Sequence, residues 1–166
     1  MNALSKFAGC ILIVLLLVII PIREEYSFME NLITNNVNQT TYTFSKNCRV
    51  RGYINKNDFD NFRIQLAKSN RRYKITITYR RIEYYPLAIT DKRYTKDKPY
   101  VAEYYTETEN QIIPLIRQNK DFQMEKGDDL TIRVADISSN TAYDVISRFL
   151  GRKPQKVICS YGGTVE

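Results

Sequence analysis

The sequence predicts an α+β protein: an N-terminal transmembrane helix extended into a stalk helix, then a small extracellular domain with an antiparallel or mixed sheet and short helices. Three observations carry this expectation. Lys6 leads into Phe7-Ala8-Gly9-Cys10 and an unbroken aliphatic run, Ile11 to Ile20, closed by Pro21-Ile22. The next stretch repeats its larger side chains at helical spacing. Beyond it, two segments alternate apolar and polar residues with the period of a strand.

The apolar run holds 16 residues from Phe7 to Ile22. At about 1.5 Å per residue they cover roughly 24 Å, slightly short of the ~30 Å core of a bilayer. Snorkelling of Lys6 and local thinning are expected to close the difference. Lys6 precedes the run, while Arg23 is offset by Glu24 and Glu25. The positive-inside rule then leaves the N-terminus in the cytoplasm and the C-terminal domain outside, a single-pass protein of the cell membrane. The organisation expected is an anchor over residues 1–25, a stalk helix over 26–46 and a head over 47–166. No small residues sit beyond the run to mark a signal-peptide cut, so the anchor is expected to stay.

From Tyr26 to Phe44, Met29, Ile33, Val37, Thr40 and Phe44 recur every three or four positions, which predicts one helical face. Asn35, Asn36, Asn38, Thr40 and Thr41 are poor helix formers, so the stalk needs packing to be stable. Gly52-Tyr53-Ile54 breaks it. Asn55 or Asn57 then caps a helix over residues 58–68 with Phe59, Phe62 and Leu66 on one side. Tyr73, Ile75, Ile77 and Tyr79 alternate with Lys74, Thr76, Thr78 and Arg80, the clearest strand in the chain. Residues 81–105 read as a strand end, a loop and a short strand. Residues 108–117 form a short helix limited by Pro114. Lys126-Gly127-Asp128-Asp129 is a β-turn, with too few oxygen ligands for calcium. Leu130, Ile132 and Val134 mark a second strand. Asn140 caps a helix through Leu150, closed by Gly151 and Pro154, and a last strand runs from Lys156 to Tyr161.

Composition narrows the chemistry. The chain carries 25 Lys+Arg against 18 Asp+Glu, a net charge of +7, and no histidine or tryptophan. Without histidine, His-dependent triads and zinc-hydrolase sites are excluded. No nucleophile–base pair or phosphate loop stands out, so the expectation is a non-enzyme with no cofactor, no metal and no small-molecule substrate. Cys48 and Cys159 form a candidate disulfide that would close a loop of about 110 residues, worth ~4–5 kcal/mol by chain entropy. Two buried free thiols are the alternative.

The segment from Arg71 to Lys98 is the most distinctive surface candidate. Its Arg71, Arg72, Lys74, Arg80, Arg81, Lys92 and Arg93 are interleaved with tyrosines. Basic groups attract polyanions and tyrosines stack on bases or sugars, so an extracellular acidic polymer is a candidate partner. A solvated strand face with half-buried tyrosines is the plainer reading of the same residues.

The finer pattern resembles pilin-like proteins of Tad/Flp-type type IV pilus clusters in Gram-positive bacteria. The residues that carry the likeness are Gly52-Tyr53-Ile54, then Phe59, Phe62 and Leu66, then Phe122, Gly127-Asp128-Asp129, Ile132 and Val134, and last Tyr161-Gly162-Gly163. The resemblance implies a subunit of a pilus or related secretion apparatus, with other pilin-like subunits, pilus assembly proteins and the membrane as partners. It also implies a cut between Gly9 and Cys10 by a prepilin peptidase. The glutamate usual five residues into a mature pilin is replaced by Val14, which fits a minor or pseudopilin-like subunit better than a major one.

Overall fold

The computed structural model describes residues 3–93, 95–97, 99–138 and 158–166. Its first element is a single helix, α1 (Ala3–Arg51), that passes through Pro21. The chain divides into two compact units, residues 1–36 with 139–155, and residues 37–138 with 156–166. The described part of the first unit consists of α1 alone.

Among the described residues, no helix is long and apolar enough to cross a membrane. This overturns the expected N-terminal transmembrane helix. It equally overturns the single-pass membrane placement with a cytoplasmic N-terminus and an extracellular C-terminal domain. The physical reason is length. The apolar run of 16 residues is fewer than the ~20 that a hydrocarbon core requires, and the helix continues directly into Glu24 and Glu25.

The second unit is built on sheet topology. After Gly52, whose φ of 75° ends α1, come β1 (Tyr53–Ile54), α2 (Lys56–Ala67), β2 (Tyr73–Pro86) and β3 (Tyr100–Thr108). α3 (Glu109–Arg117), β4 (Phe122–Gln123), β5 (Asp129–Asp136) and β6 (Ile158–Thr164) follow. The main sheet has four strands in the order β3-β2-β5-β6, and each neighbouring pair is antiparallel. β1 and β4 form a separate antiparallel pair. The helix expected from Asn140 to Leu150, with Gly151 and Pro154 after it, lies outside the described residues.

Local chemistry explains the short helices. Asn55 caps α2 by accepting a hydrogen bond from the Asp58 amide at 2.7 Å. Gln111 reaches back from α3 to accept from the Thr108 amide at 3.1 Å. Pro114 lies inside α3, which is nine residues long.

One face of the sheet makes the core. Ile77 is opposite Ile132, which is opposite Tyr161; Tyr79 is opposite Leu130; and Val134 is opposite Cys159. Directly opposed residues share a face, so these side chains form one layer. Ile77, Tyr79, Leu130, Ile132 and Val134 are fully buried, with Ile112 and Ile116 of α3. The C-terminal part of α1 adds Val37, Thr41, Phe44, Ser45 and Cys48, spaced to lie on one helical stripe. Thr41 and Ser45 are the small side chains of that stripe. Ser45 Oγ donates to the Tyr161 carbonyl at 3.2 Å, and Cys159 Sγ donates to Thr41 Oγ1 at 3.4 Å. The expected stripe was shifted by one position at Thr40, and Met29 is exposed.

Candidate functional site

The basic, tyrosine-rich segment is the natural place to look for a surface site, and strand geometry divides it. Side chains of β2 alternate between the core face and the open face. Arg80 falls on the open face, half-paired with Asp129 at 3.4 Å, its guanidinium 5.6 Å from the centre of the Tyr104 ring. Arg81, the next residue, turns to the other face. It reaches Glu125 at 3.3 Å and Asp128 at 3.8 Å.

The remaining cations scatter further. Arg71 precedes β2 and pairs with Asp136 at 3.3 Å, both side chains being largely buried. The Arg72 amide donates to Ser138 Oγ at 3.0 Å, and Lys74 is exposed. In the loop after β2, Lys92 is exposed and Arg93 grips Asp91 with two side-chain hydrogen bonds, at 2.9 and 3.2 Å. Those bonds hold the Asp91 carboxyl down at about 2. Tyr94 and Lys98 lie outside the described residues. Among the described residues the strip's arginines are thus taken up in separate ion pairs, at Arg71, Arg80, Arg81 and Arg93.

What the hairpin does concentrate is tyrosine. On the open face Tyr84 and Tyr100 meet edge-to-face with centroids 5.3 Å apart, and with Pro86 and Pro99 they line a shallow cleft. On the reverse face Tyr85 donates to Glu83 at 2.5 Å, and that carboxylate is the main cause of its raised pKa.

The turn residue Asp128 has a larger part than the sequence suggested. It is buried, and its carboxylate accepts from the Tyr79 phenol and from the Ile82 amide at 3.3 Å. Tyr79 in turn accepts from the Glu125 amide at 3.2 Å. Burial, followed by the Asp128 carboxylate, pushes the Tyr79 phenol above its ordinary value. The network pins the Gly127 turn, at φ 97°, to the centre of β2. No local signal announces it, because 49 residues separate the partners.

Cys48 and Cys159, the candidate disulfide, are free and buried. Cys159 Sγ instead donates to Thr41 Oγ1, seven residues, or about 10 Å of helix rise, before Cys48. Gly9 and Cys10, the candidate cleavage pair, lie within α1 and are exposed. Among the described residues no group of three or more His, Cys, Asp or Glu is placed to hold a metal.

Compared with known proteins, the chain matches no family model, no curated protein and no solved structure.

Proposed function

We propose that this chain is a non-enzymatic structural subunit, pilin-like in plan, that associates with other subunits through the N-terminal part of α1. The observation that carries the reading is the exposure of Ile11, Leu12, Ile13, Val14, Leu17 and Val18, at 49–68%. Consecutive residues of a helix point about 100° apart, so Ile11 to Val14 present apolar side chains on every side. A helix apolar all round is one that belongs among neighbours. An exposed apolar surface of this kind is suited to burial against protein neighbours. Ala8, Gly9 and Cys10 are small enough to let a second helix approach closely, and nothing stands within 4 Å of where a Gly9 side chain would begin.

The other reading, a module that grips an acidic polymer, draws less support. Its Arg80 and Arg81 lie on opposite faces of β2, and Arg71, Arg80, Arg81 and Arg93 are each tied to a carboxylate.

Sedimentation of the full-length chain tests the proposal. The native protein should run as large assemblies, and a Leu12→Asp, Leu17→Asp double variant should run as a monomer of 19.5 kDa. A native chain that stays monomeric, or a variant that assembles equally well, would sink the reading. Co-purification from its own cells with pilus motor and platform proteins would tie the assembly to a pilus.

A further inference from the structure

We propose that the outer edge of β3 takes up one further strand from a partner protein, an extended segment with two basic residues four positions apart. β3 is the last strand of the main sheet, and its residues 102–106 are exposed. The opposite edge strand, β6, has α1 beside it, where the Tyr161 carbonyl accepts from Ser45.

The phase of the ladder shows which groups of β3 are open. The Leu87 amide donates to the Pro99 carbonyl at 2.8 Å, and bonded pairs alternate with unbonded ones along the register from there. Val101, Glu103, Tyr105 and Glu107 therefore turn their amides and carbonyls to β2, while Tyr100, Ala102, Tyr104 and Thr106 turn theirs outward. Thr108, next in the outward set, has its amide taken by Gln111. Among the described residues, nothing bonds the outward groups of the other four. β3 also lacks the usual protection of an edge. Over nine residues it has no lysine, proline or glycine, and its register against β2 has no bulge. Beyond Arg80, β2 has left β5, so the far half of the hairpin is a two-stranded ribbon that gains from a third strand.

Charge sets the partner. Glu83 and Glu103 are directly opposed, and Glu107 follows four residues after Glu103 on the same face. None of the three forms an ion pair among the described residues. The cations nearby are committed elsewhere: Arg81, on that face of β2, to Glu125 and Asp128, and Arg93, whose charge reaches Glu103, to Asp91. An antiparallel strand added to β3 would set two of its residues, four apart, opposite Glu103 and Glu107, where lysines complete the pairs. On the other face, a residue opposite Ala102 would lie between the rings of Tyr100 and Tyr104, 52% and 60% exposed, which suits an apolar side chain. A second copy of β3 fits less well, because Glu103 and Glu107 would come alongside their own counterparts. The edge lies wholly within the second unit and is independent of the assembly residues of α1.

Fluorescence anisotropy of the full-length chain with the fluorescein-labelled peptide Lys-Thr-Thr-Val-Lys-Ile-Thr tests this. Antiparallel pairing sets its lysines opposite Glu107 and Glu103 and its valine opposite Tyr104. Binding is expected, and the Leu12→Asp, Leu17→Asp chain should bind equally, whatever its state of assembly. N-methylation of the valine, whose amide would donate to the Tyr104 carbonyl, should weaken binding about fivefold, the equivalent of one hydrogen bond of ~1 kcal/mol. The same methyl on the second lysine, whose amide would face away from β3, should change nothing. Glu103→Gln together with Glu107→Gln should also weaken binding about fivefold, with the fold retained by circular dichroism. Absence of binding to the folded native chain, as when a second copy already covers the edge, would overturn the proposal. So would equal effects of the two methyl groups, or unchanged binding in the glutamine variant.

Discussion

Two stretches of α1 invert the usual relation between sequence and burial. Residues 7–22 are almost wholly apolar, and the described side chains among them stand in the open, as Phe7 at 70% and Leu17 at 68% show. Residues 37–48 are rich in Asn, Gln, Thr and Ser, yet Thr41 and Ser45 are completely buried. The contrast teaches that burial in this chain follows what faces a side chain, and only then its hydropathy. Thr41 and Ser45 can be buried because they are small and because each finds a hydrogen-bond partner, the Val37 carbonyl for Thr41 and the Tyr161 carbonyl for Ser45. The described side chains of the apolar stretch are exposed instead, which makes their partners the central functional question.

The sharpest way to break this comparison is truncation of one large side chain in each stretch. Phe44→Ala should cost about 3–5 kcal/mol, because it removes a ring packed on Phe59 and Phe62. Leu17→Ala, at an open position, should stay within about 0.5 kcal/mol in the unassembled protein. Urea unfolding of both variants, on chains kept monomeric by dilution, checks the difference. Equal costs would mean that the two stretches are buried alike.

Overpacking gives the next largest effect. Ser45→Leu places a branched side chain where α1 meets the Tyr161 backbone and should destabilise by about 1–3 kcal/mol. The same change at an exposed α1 position, Ser27→Leu aside because Ser27 is partly engaged, is best made at Asn35, where it should be nearly neutral. Thermal unfolding of Ser45→Leu and Asn35→Leu side by side would show whether small size or polarity matters at the buried stripe.

A smaller loss is expected at the start of α2. Asn55→Ala removes the cap that holds the Asp58 amide and should cost about 0.5–2 kcal/mol. Chemical denaturation of Asn55→Ala against Asn55→Asp, which can still cap, isolates that bond.

The last effect vanishes at neutral pH. The Cys48 thiol is raised from 9.0 to about 12 in the folded chain, chiefly by burial. A raised folded pKa favours the protonated thiol, so its contribution is complete below pH 9 and is lost as pH climbs toward 12. Stability should fall over that window, and less steeply in Cys48→Ala. Thiol titration of the unassembled, folded chain sharpens the same contrast: exposed Cys10 should react at once, while buried Cys48 and Cys159 react only after unfolding.

Much of the second unit was legible along the chain. The alternation over Tyr73–Arg80 and Leu130–Val134 corresponds to β2 and β5, because a period of two places every other side chain against the core. Gly52 ends α1 and Asn55 caps α2 through strictly local geometry, so neighbouring residues suffice to read them. The candidate surface was less legible. Arg80 and Arg81 look like one basic cluster when read in a line, and the pleat of β2 sends them to opposite faces.

Residue order, then, decided the secondary structure, the turns and the apolar character of residues 7–22, since these depend on dihedral preferences and on periodicity within a few positions. Pairing over long separations decided the rest. The bond from Tyr79 to Asp128 spans 49 residues and the contact from Thr41 to Cys159 spans 118. Such contacts form only when several elements close on one core at once, so no local stretch encodes them. The same closure buries Cys48 and Cys159 as free thiols, along with Thr41 and Ser45.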